Sequence, residues 1–179
     1  WIIQMLTEIE DSVALMSPVY YPFANAIRDT SRTLVDVPLV KDENGYYTMD
    51  LENFEATVQK KDVKLFILCS PHNPVGRVWR EEELRNLLDV CRRNGVYVIA
   101  DEIHHDLIMP GHRQITAAAT GDYDSILITL TSASKTFNLA SCQNAMAIIP
   151  NDALRAKYDA MTRRIKTQSG SSFGYVAYE

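Results

Sequence analysis

Continuous apolar runs alternate with amphipathic segments along most of the chain, and the runs are short enough to be strands. The clearest are residues 65–69, 96–100 and 125–130, which contain almost no polar alternation. A strand that is apolar on both faces is covered on both sides, as strands of parallel sheets are. The pattern therefore predicts an α/β fold: a mostly parallel sheet with flanking helices.

Charged and capping residues predict the ends of the helices. The segment 81–93 begins with three glutamates and ends with two arginines, and Gly95 follows just beyond. Acids at the first turn and bases at the last complement the helix dipole, and glycine suits the C-terminal cap. By the same logic Asp50 caps a helix reaching about residue 60, and Asn151 or Asp152 caps one running through Lys166.

The remaining segments give shorter elements and one antiparallel strand. Too few residues separate Lys135 from the run at 145–149 for a full crossover helix, so that strand is predicted to be antiparallel. Pro38 suggests that the strand containing it lies at the edge of the sheet or ends there. The other predicted elements are a helix end at 1–9, strands at 13–16 and 33–39, a helix from about 19 to 30, a turn at 42–45 and a loop at 170–174.

Composition is that of an ordinary folded domain. The 179 residues are 46% hydrophobic and 23% charged, and the net charge of −5 argues against a nucleic-acid surface. No apolar run approaches a membrane span, and three cysteines without metal-binding spacing suggest reduced thiols in a cytoplasmic protein. The start at Trp1 resembles the middle of a helix, which suggests a fragment.

The ends of the predicted strands carry residues suited to a cofactor. Ligands of open α/β sheets bind beyond the carboxyl ends of the strands. An aromatic ring, an amide, a carboxylate and an amine at one rim suit a planar heterocycle that bears an aldehyde. The amine forms a Schiff base, and the carboxylate keeps a ring nitrogen protonated. The residues that follow successive strands are Tyr20, Asn73, Asp101 and the group Ser132, Ser134 and Lys135.

Each of these residues also has a simpler interpretation when taken alone. Lys135 could start a helix, Asn73 before a proline is a common turn residue, and Asp101 could cap a helix. His104 and His105 could suggest zinc, but adjacent side chains point to different faces. A Ser/His/Asp hydrolase would need a GxSxG elbow, and the sequence has none.

Three spaced motifs resemble those of the fold-type I pyridoxal-phosphate enzymes of the class I/II aminotransferase family. They are Asn73-Pro74-x-Gly76, Asp101-Glu102-Ile103-His104 and Ser132-x-Ser134-Lys135. Residues 18–23, 101–112 and 134–140 look most like the cystathionine β-lyase (C–S lyase) branch of that family. The resemblance implies that residues 1–179 form most of the large, cofactor-binding domain, truncated at both ends, with the small domain absent.

The resemblance also implies roles for the rim residues. Lys135 would be the Schiff-base lysine of pyridoxal 5'-phosphate and would move the substrate α-proton. Asp101 would pair with the ring nitrogen, and Tyr20 would stack on the ring. Asn73, with His104 in support, would bind the phenolic oxygen. Ser132 and Ser134 would help to hold the phosphate.

Function and partners follow from the same resemblance. The expected reaction is C–S β-elimination from cystathionine or a related cysteine S-conjugate, in a homodimer without nucleic-acid or membrane partners. An aminotransferase would use the same residues, and a non-catalytic sensor would share the fold. Gln143 replaces an arginine that many aminotransferases use for the phosphate. That replacement implies a differently held phosphate, and the truncated chain could itself be inert.

Overall fold

The computed structural model of the chain describes residues 1–167 and 172–177. The strands are β1 (Ser12–Leu15), β2 (Thr33–Asp36), β3 (Val40–Lys41), β4 (Tyr47–Thr48), β5 (Val63–Cys69), β6 (Tyr97–Asp101), β7 (Leu127–Thr131) and β8 (Met146–Ile148). The helices are α1 (Ile2–Leu6), α2 (Pro22–Asp29), α3 (Leu51–Lys60), α4 (Glu81–Arg93), α5 (Asp152–Ile165) and α6 (Ser172–Ala177). Over the described residues, no helix is both long and apolar enough to cross a bilayer.

One six-stranded sheet organises the molecule, in the order β2-β1-β5-β6-β7-β8. The strands from β2 to β7 in that order pair in parallel, and β8 pairs antiparallel with β7. The predicted fold class, α/β with a mostly parallel sheet and one antiparallel strand, is therefore confirmed. β2 lies at the edge, as its nearby proline predicted, and β3 and β4 form a separate hairpin.

The capping signals locate the helix ends well. The carboxylate of Asp50 accepts the N–H of Asn53 at the start of α3, and Asn151 does the same for Leu154 in α5. Gly95 has a φ of +67°, a left-handed conformation that favours glycine, just past α4.

Several predicted elements have different bounds in the structure. The first helix ends at Leu6 rather than residue 9, and the strand predicted over 33–39 ends at Asp36. The loop predicted at 170–174 is wrong from Ser172 onward, where α6 begins, while residues 170 and 171 lie outside the described part of the chain.

The core lies on both faces of the sheet because side chains alternate along its central strand. Phe66 and Leu68 of β5 face α3 and α4, where Phe54 packs edge-on against Phe66 with ring centroids 5.0 Å apart. Leu65 and Ile67 face the other side, toward α1 and α2. This coverage fixes β5 and β6 rigidly, and their carboxyl ends support the loops described below.

A buried ion pair fastens the loop that follows β5. Both carboxylate oxygens of Glu83 lie 2.8 Å from Nη2 of Arg77, whose side chain is only 6% exposed. Arg77 also donates to the Tyr47 carbonyl, and Glu83 accepts the N–H of Arg80 at the start of α4. Burial by itself would raise the pKa of Glu83, but the hydrogen bonds from Arg77 and Arg80 bring it below its usual value. The pair therefore joins loop, hairpin and helix.

Replacing Glu83 by glutamine should lower the free energy of unfolding by about 3 kcal/mol, because it leaves a buried guanidinium without its counter-charge. Urea unfolding at neutral pH measures this loss. The folded-state pKa of Glu83 is depressed, so its contribution is present above the unfolded-state pKa and lost as the pH falls through the folded-state value. The difference in the free energy of unfolding between wild type and Glu83→Gln should therefore become smaller in acid.

The control is Glu82→Gln, an exposed neighbour in the first turn of the same helix. Its effect should stay within about 0.5 kcal/mol of zero, as is usual for surface substitutions. If both variants lost the same free energy of unfolding, the stabilising role of the Arg77–Glu83 ion pair would be contradicted.

Candidate functional site

A cavity of about 140 Å³ lies beyond the carboxyl ends of β1, β5, β6 and β7. From β1 the chain adds β2 on one side of the sheet, and from β5 it adds β6 and β7 on the other side. The strand order therefore reverses between β1 and β5, although these two strands are parallel. Such a switch point is where open α/β sheets bind ligands. Five of the seven residues predicted for the site line this cavity: Tyr20, Asn73, Asp101, His104 and Lys135.

Asp101 provides the partly buried negative group of the cavity. It is the last residue of β6, paired in register with Cys69 of β5 and Leu130 of β7. Burial raises the pKa of Asp101 above its usual value. The hydrogen bond from the N–H of Ile103 and the electrostatic attraction of His104 and Lys135 act against that increase. Ile103 N donates to Asp101 Oδ1 at 3.1 Å. A carboxylate in this position is stabilised by any further cation that enters the cavity.

Asn73 is held in place by its own backbone. Its N–H donates to the sulfur of Cys69 at 3.4 Å, and that thiol donates to the carbonyl of Pro71 at 3.3 Å. The turn then closes through paired bonds of His72, whose N–H donates to Arg77 O and whose carbonyl accepts from Gly76, both at 2.8 Å. The amide side chain of Asn73 is thereby presented at the cavity wall.

Tyr20 brings an aromatic ring to the rim, in the connection between β1 and α2. Phe23 packs against it edge-on, with ring centroids 5.6 Å apart and an interplanar angle of 86°. Tyr20 itself remains 43% exposed. Its ring is therefore supported from one side and open to a planar ligand.

Lys135 lies in a turn after β7 and is exposed. The turn is anchored from inside by Ser132, whose Oγ donates to the Asn144 carbonyl at 2.7 Å and accepts the N–H of Ser134 at 3.0 Å. Both serines are buried and neither lines the cavity. Their role toward a phosphate stays a prediction, and in the structure they shape the turn that carries the lysine.

Three further residues line the cavity that the sequence did not single out: Phe23, Cys69 and Ile103. Phe23 and Ile103 lie inside the motifs 18–23 and 101–112, three residues from Tyr20 and two from Asp101, so their motifs could have indicated them. Cys69 is the buried last residue of the apolar run at 65–69, and nothing in the sequence distinguishes it from a core residue.

The histidines divide into distinct roles. His104 lines the cavity, whereas His105 turns to the outside and contacts the carbonyl of Glu102 and the side chain of Asp106. His72 is buried, and its Nε2 lies 3.0 Å from the Pro18 carbonyl. Within the residues that the structure describes, no three His, Cys, Asp or Glu side chains are arranged to hold a metal ion.

With this geometry in place, comparison with known proteins is informative. The sequence profile of the family described as "Aminotransferase class I and II" matches residues 1–177. The chain belongs to this family. Membership agrees with the cavity, because five of its eight lining residues come from the three motifs that first suggested the resemblance.

Similar proteins include one named a cystathionine beta-lyase and one whose structure contains pyridoxal 5'-phosphate. Cystathionine beta-lyase PatB of Bacillus subtilis (strain 168) is 38% identical over 178 residues, which cover 99% of this chain and 46% of the relative. Cystalysin of Treponema denticola, a crystal structure containing pyridoxal 5'-phosphate, matches with a TM-score of 0.90 and 36% identity. That match covers 98% of this chain and 45% of the other.

A third similar protein is named as a different kind of enzyme. The crystal structure of a PLP-bound putative aminotransferase from Clostridium difficile 630 matches with a TM-score of 0.94 and 40% identity, over 98% of this chain and 45% of its own. The fold described above is thus that of pyridoxal-phosphate enzymes. The chain spans a little under half the length of these relatives.

Burial should make the cysteine at the cavity unreactive. Burial raises the pKa of Cys69 to about 12 and that of Cys91 further still, whereas Cys142 is only half-buried. Because the thiolate is the reactive form, Cys69 should be modified on the order of a hundredfold more slowly than Cys142 by a thiol reagent at pH 8. Peptide mass spectrometry after timed labelling measures this order, and labelling in urea, where all three should react alike, is the control. Equal rates at Cys69 and Cys142 in the folded protein would refute the expectation.

Proposed function

We propose that this chain is the cofactor-binding part of a pyridoxal-phosphate-dependent C–S β-lyase. The observation that carries the proposal is the shared cavity in which the partly buried carboxylate of Asp101 lies with Lys135, Asn73 and Tyr20. Support also comes from PatB, which is named a cystathionine beta-lyase, and from cystalysin, whose structure contains the cofactor. The substrate would be cystathionine or a related cysteine S-conjugate.

The residues at the cavity fit pyridoxal phosphate chemically. A carboxylate whose pKa is raised by burial is best stabilised by a cationic partner, and a protonated ring nitrogen is one. The exposed amine of Lys135 is available to an aldehyde, and the open ring of Tyr20 suits a stacked heterocycle. Asn73 offers an amide that can donate to the ring's phenolic oxygen, with His104 close by.

Bound pyridoxal phosphate would supply an aldehyde that captures amines and a ring that accepts electrons from the substrate carbon. Lys135 would hold the cofactor covalently and move the proton at the substrate's α-carbon. Asp101 would keep the ring nitrogen protonated, and Asn73 would orient the ring. Breaking the bond between the β-carbon and sulfur would release a thiol, and water would convert the remainder to pyruvate and ammonia.

Aminotransfer is the second candidate, and the putative aminotransferase from Clostridium difficile favours it. The reaction would use the same side chains and differ in where the proton returns after it leaves the substrate. A keto acid would then be required as the acceptor. The cavity residues alone do not separate the two reactions, whereas their products do.

We also propose a homodimeric, cytoplasmic protein in which a small domain and a partner subunit complete the site. Large apolar side chains near the cavity are exposed, including Tyr21 at 73% and Phe137 at 67%. Exposed groups of this size favour contact with another surface. Residues 1–179 would then be part of the large domain.

Lys135→Ala should abolish covalent attachment of pyridoxal phosphate, because no other amine lines the cavity described here. The measurement is the visible absorbance of the protein with added cofactor, followed by borohydride reduction and peptide mass analysis. Lys157→Ala, an exposed lysine in α5, is the matched control and should behave as wild type. Unchanged absorbance and labelling in Lys135→Ala would disprove the assignment.

For the reaction itself, the intact gene product should release pyruvate from cystathionine in the absence of any keto acid. A lactate dehydrogenase-coupled assay records the pyruvate, and a thiol reagent records homocysteine in equal amounts. Product formation that depends on an added keto acid would instead establish the aminotransferase.

A further inference from the structure

The turn that carries Lys135 is tied to the loop that carries Asp101 and His104 by a chain of side-chain contacts outside the cavity. Its links are Glu102, His105, Asp106 and Thr136. None of these residues lines the cavity. The chain of contacts therefore has no direct part in holding a ligand and connects two of the elements that do.

The contacts begin in the core. Glu102 is 4% exposed, and its Oε1 accepts the N–H of Ala117 at 2.7 Å. The Glu102 carbonyl lies 2.9 Å from Nδ1 of His105, and the hydroxyl of Thr131 at the end of β7 lies 3.1 Å from the same nitrogen. His105 is thus fixed between the loop after β6 and the end of β7.

Asp106 completes the connection. Its Oδ1 lies 3.3 Å from Nε2 of His105, and its Oδ2 accepts the hydroxyl of Thr136 at 2.8 Å. Thr136 directly follows Lys135. The turn is therefore anchored on both flanks, by Ser132 toward the interior and by Thr136 toward Asp106.

We propose that the Asp106–Thr136 hydrogen bond is a positioning contact that orients Lys135 toward the cavity, with His105 holding Asp106 in place. The proposal rests on the proposed function of Lys135 as the cofactor lysine. An exposed lysine in a turn can adopt many orientations, and it loses conformational entropy when its amine is fixed in one place. A fixed neighbouring residue reduces that loss, because it already limits the orientations of the turn. A charge-assisted bond on the adjacent residue supplies that restraint.

The test is the rate at which pyridoxal phosphate becomes fixed on Lys135 of the intact gene product, measured by borohydride trapping and peptide mass analysis. Asp106→Asn and Thr136→Val should each slow fixation about three- to tenfold, the range expected for losing one ordinary, solvent-exposed hydrogen bond. The double variant should be no slower than the slower single one, because both changes remove the same bond. Thr136→Ser, which keeps the hydroxyl, should restore the rate.

Two controls separate positioning from general stability. Asp124→Asn removes an exposed carboxylate just before β7 and should leave the rate unchanged. Urea unfolding midpoints of all variants should match wild type, because the Asp106–Thr136 bond is exposed. If the fold-decreases of the two single variants multiplied in the double variant, or if Thr136→Ser did not restore the rate, the positioning inference would be overturned. The proposed function of Lys135 would not be affected by either result. Absence of fixation on Lys135 in the unchanged protein would overturn the proposed function and this inference with it.

Discussion

A partly buried carboxylate at the end of a central strand sets the electrostatics of the cavity. The backbone of Asp101 is held by pairing on both sides, with β5 and with β7. Burial opposes its charge, and His104 and Lys135 compensate in part. The consequence is a rigid cavity with an electrostatic preference for a cation. A protonated heterocycle meets that preference without requiring the protein to rearrange.

Sheet topology explains why the other groups lie near this carboxylate. Parallel strands place their carboxyl ends at one edge, so Asn73 after β5 and Lys135 after β7 flank Asp101 after β6. Because the strand order reverses between β1 and β5, the loops that follow these two strands diverge and leave the space that Tyr20 lines. The loops then need local restraints, because the strands position only their first residues. The thiol of Cys69 restrains Asn73, and Ser132 restrains the lysine turn.

Sequence patterns predicted the parts of the structure that depend on local chemistry or on strand order. Unbroken apolar runs identified the central strands, and the short connection before residues 145–149 identified the antiparallel one. The hairpin of β3 and β4 went unpredicted, since strands of two residues carry no periodicity. The sequence also did not predict the direction in which a side chain points within a turn. The hydroxyl of Ser132 donates to the carbonyl of Asn144, a partner whose proximity only the fold creates, and the N–H of Ser134 donates to Ser132 Oγ.

The division between reacting and restraining residues bears on how one cavity can serve two reactions. β-Elimination and aminotransfer both begin with the same proton at the same carbon, so both would require Lys135, Asp101 and Asn73 in the same proposed roles. These residues therefore cannot set the choice between the two reactions by their identity. The choice depends on where the amine of Lys135 can return a proton, which is a matter of its orientation and reach. If the turn is positioned as we propose, groups that restrain it from outside the cavity, Thr136 and Asp106 among them, would influence the outcome together with those that line it.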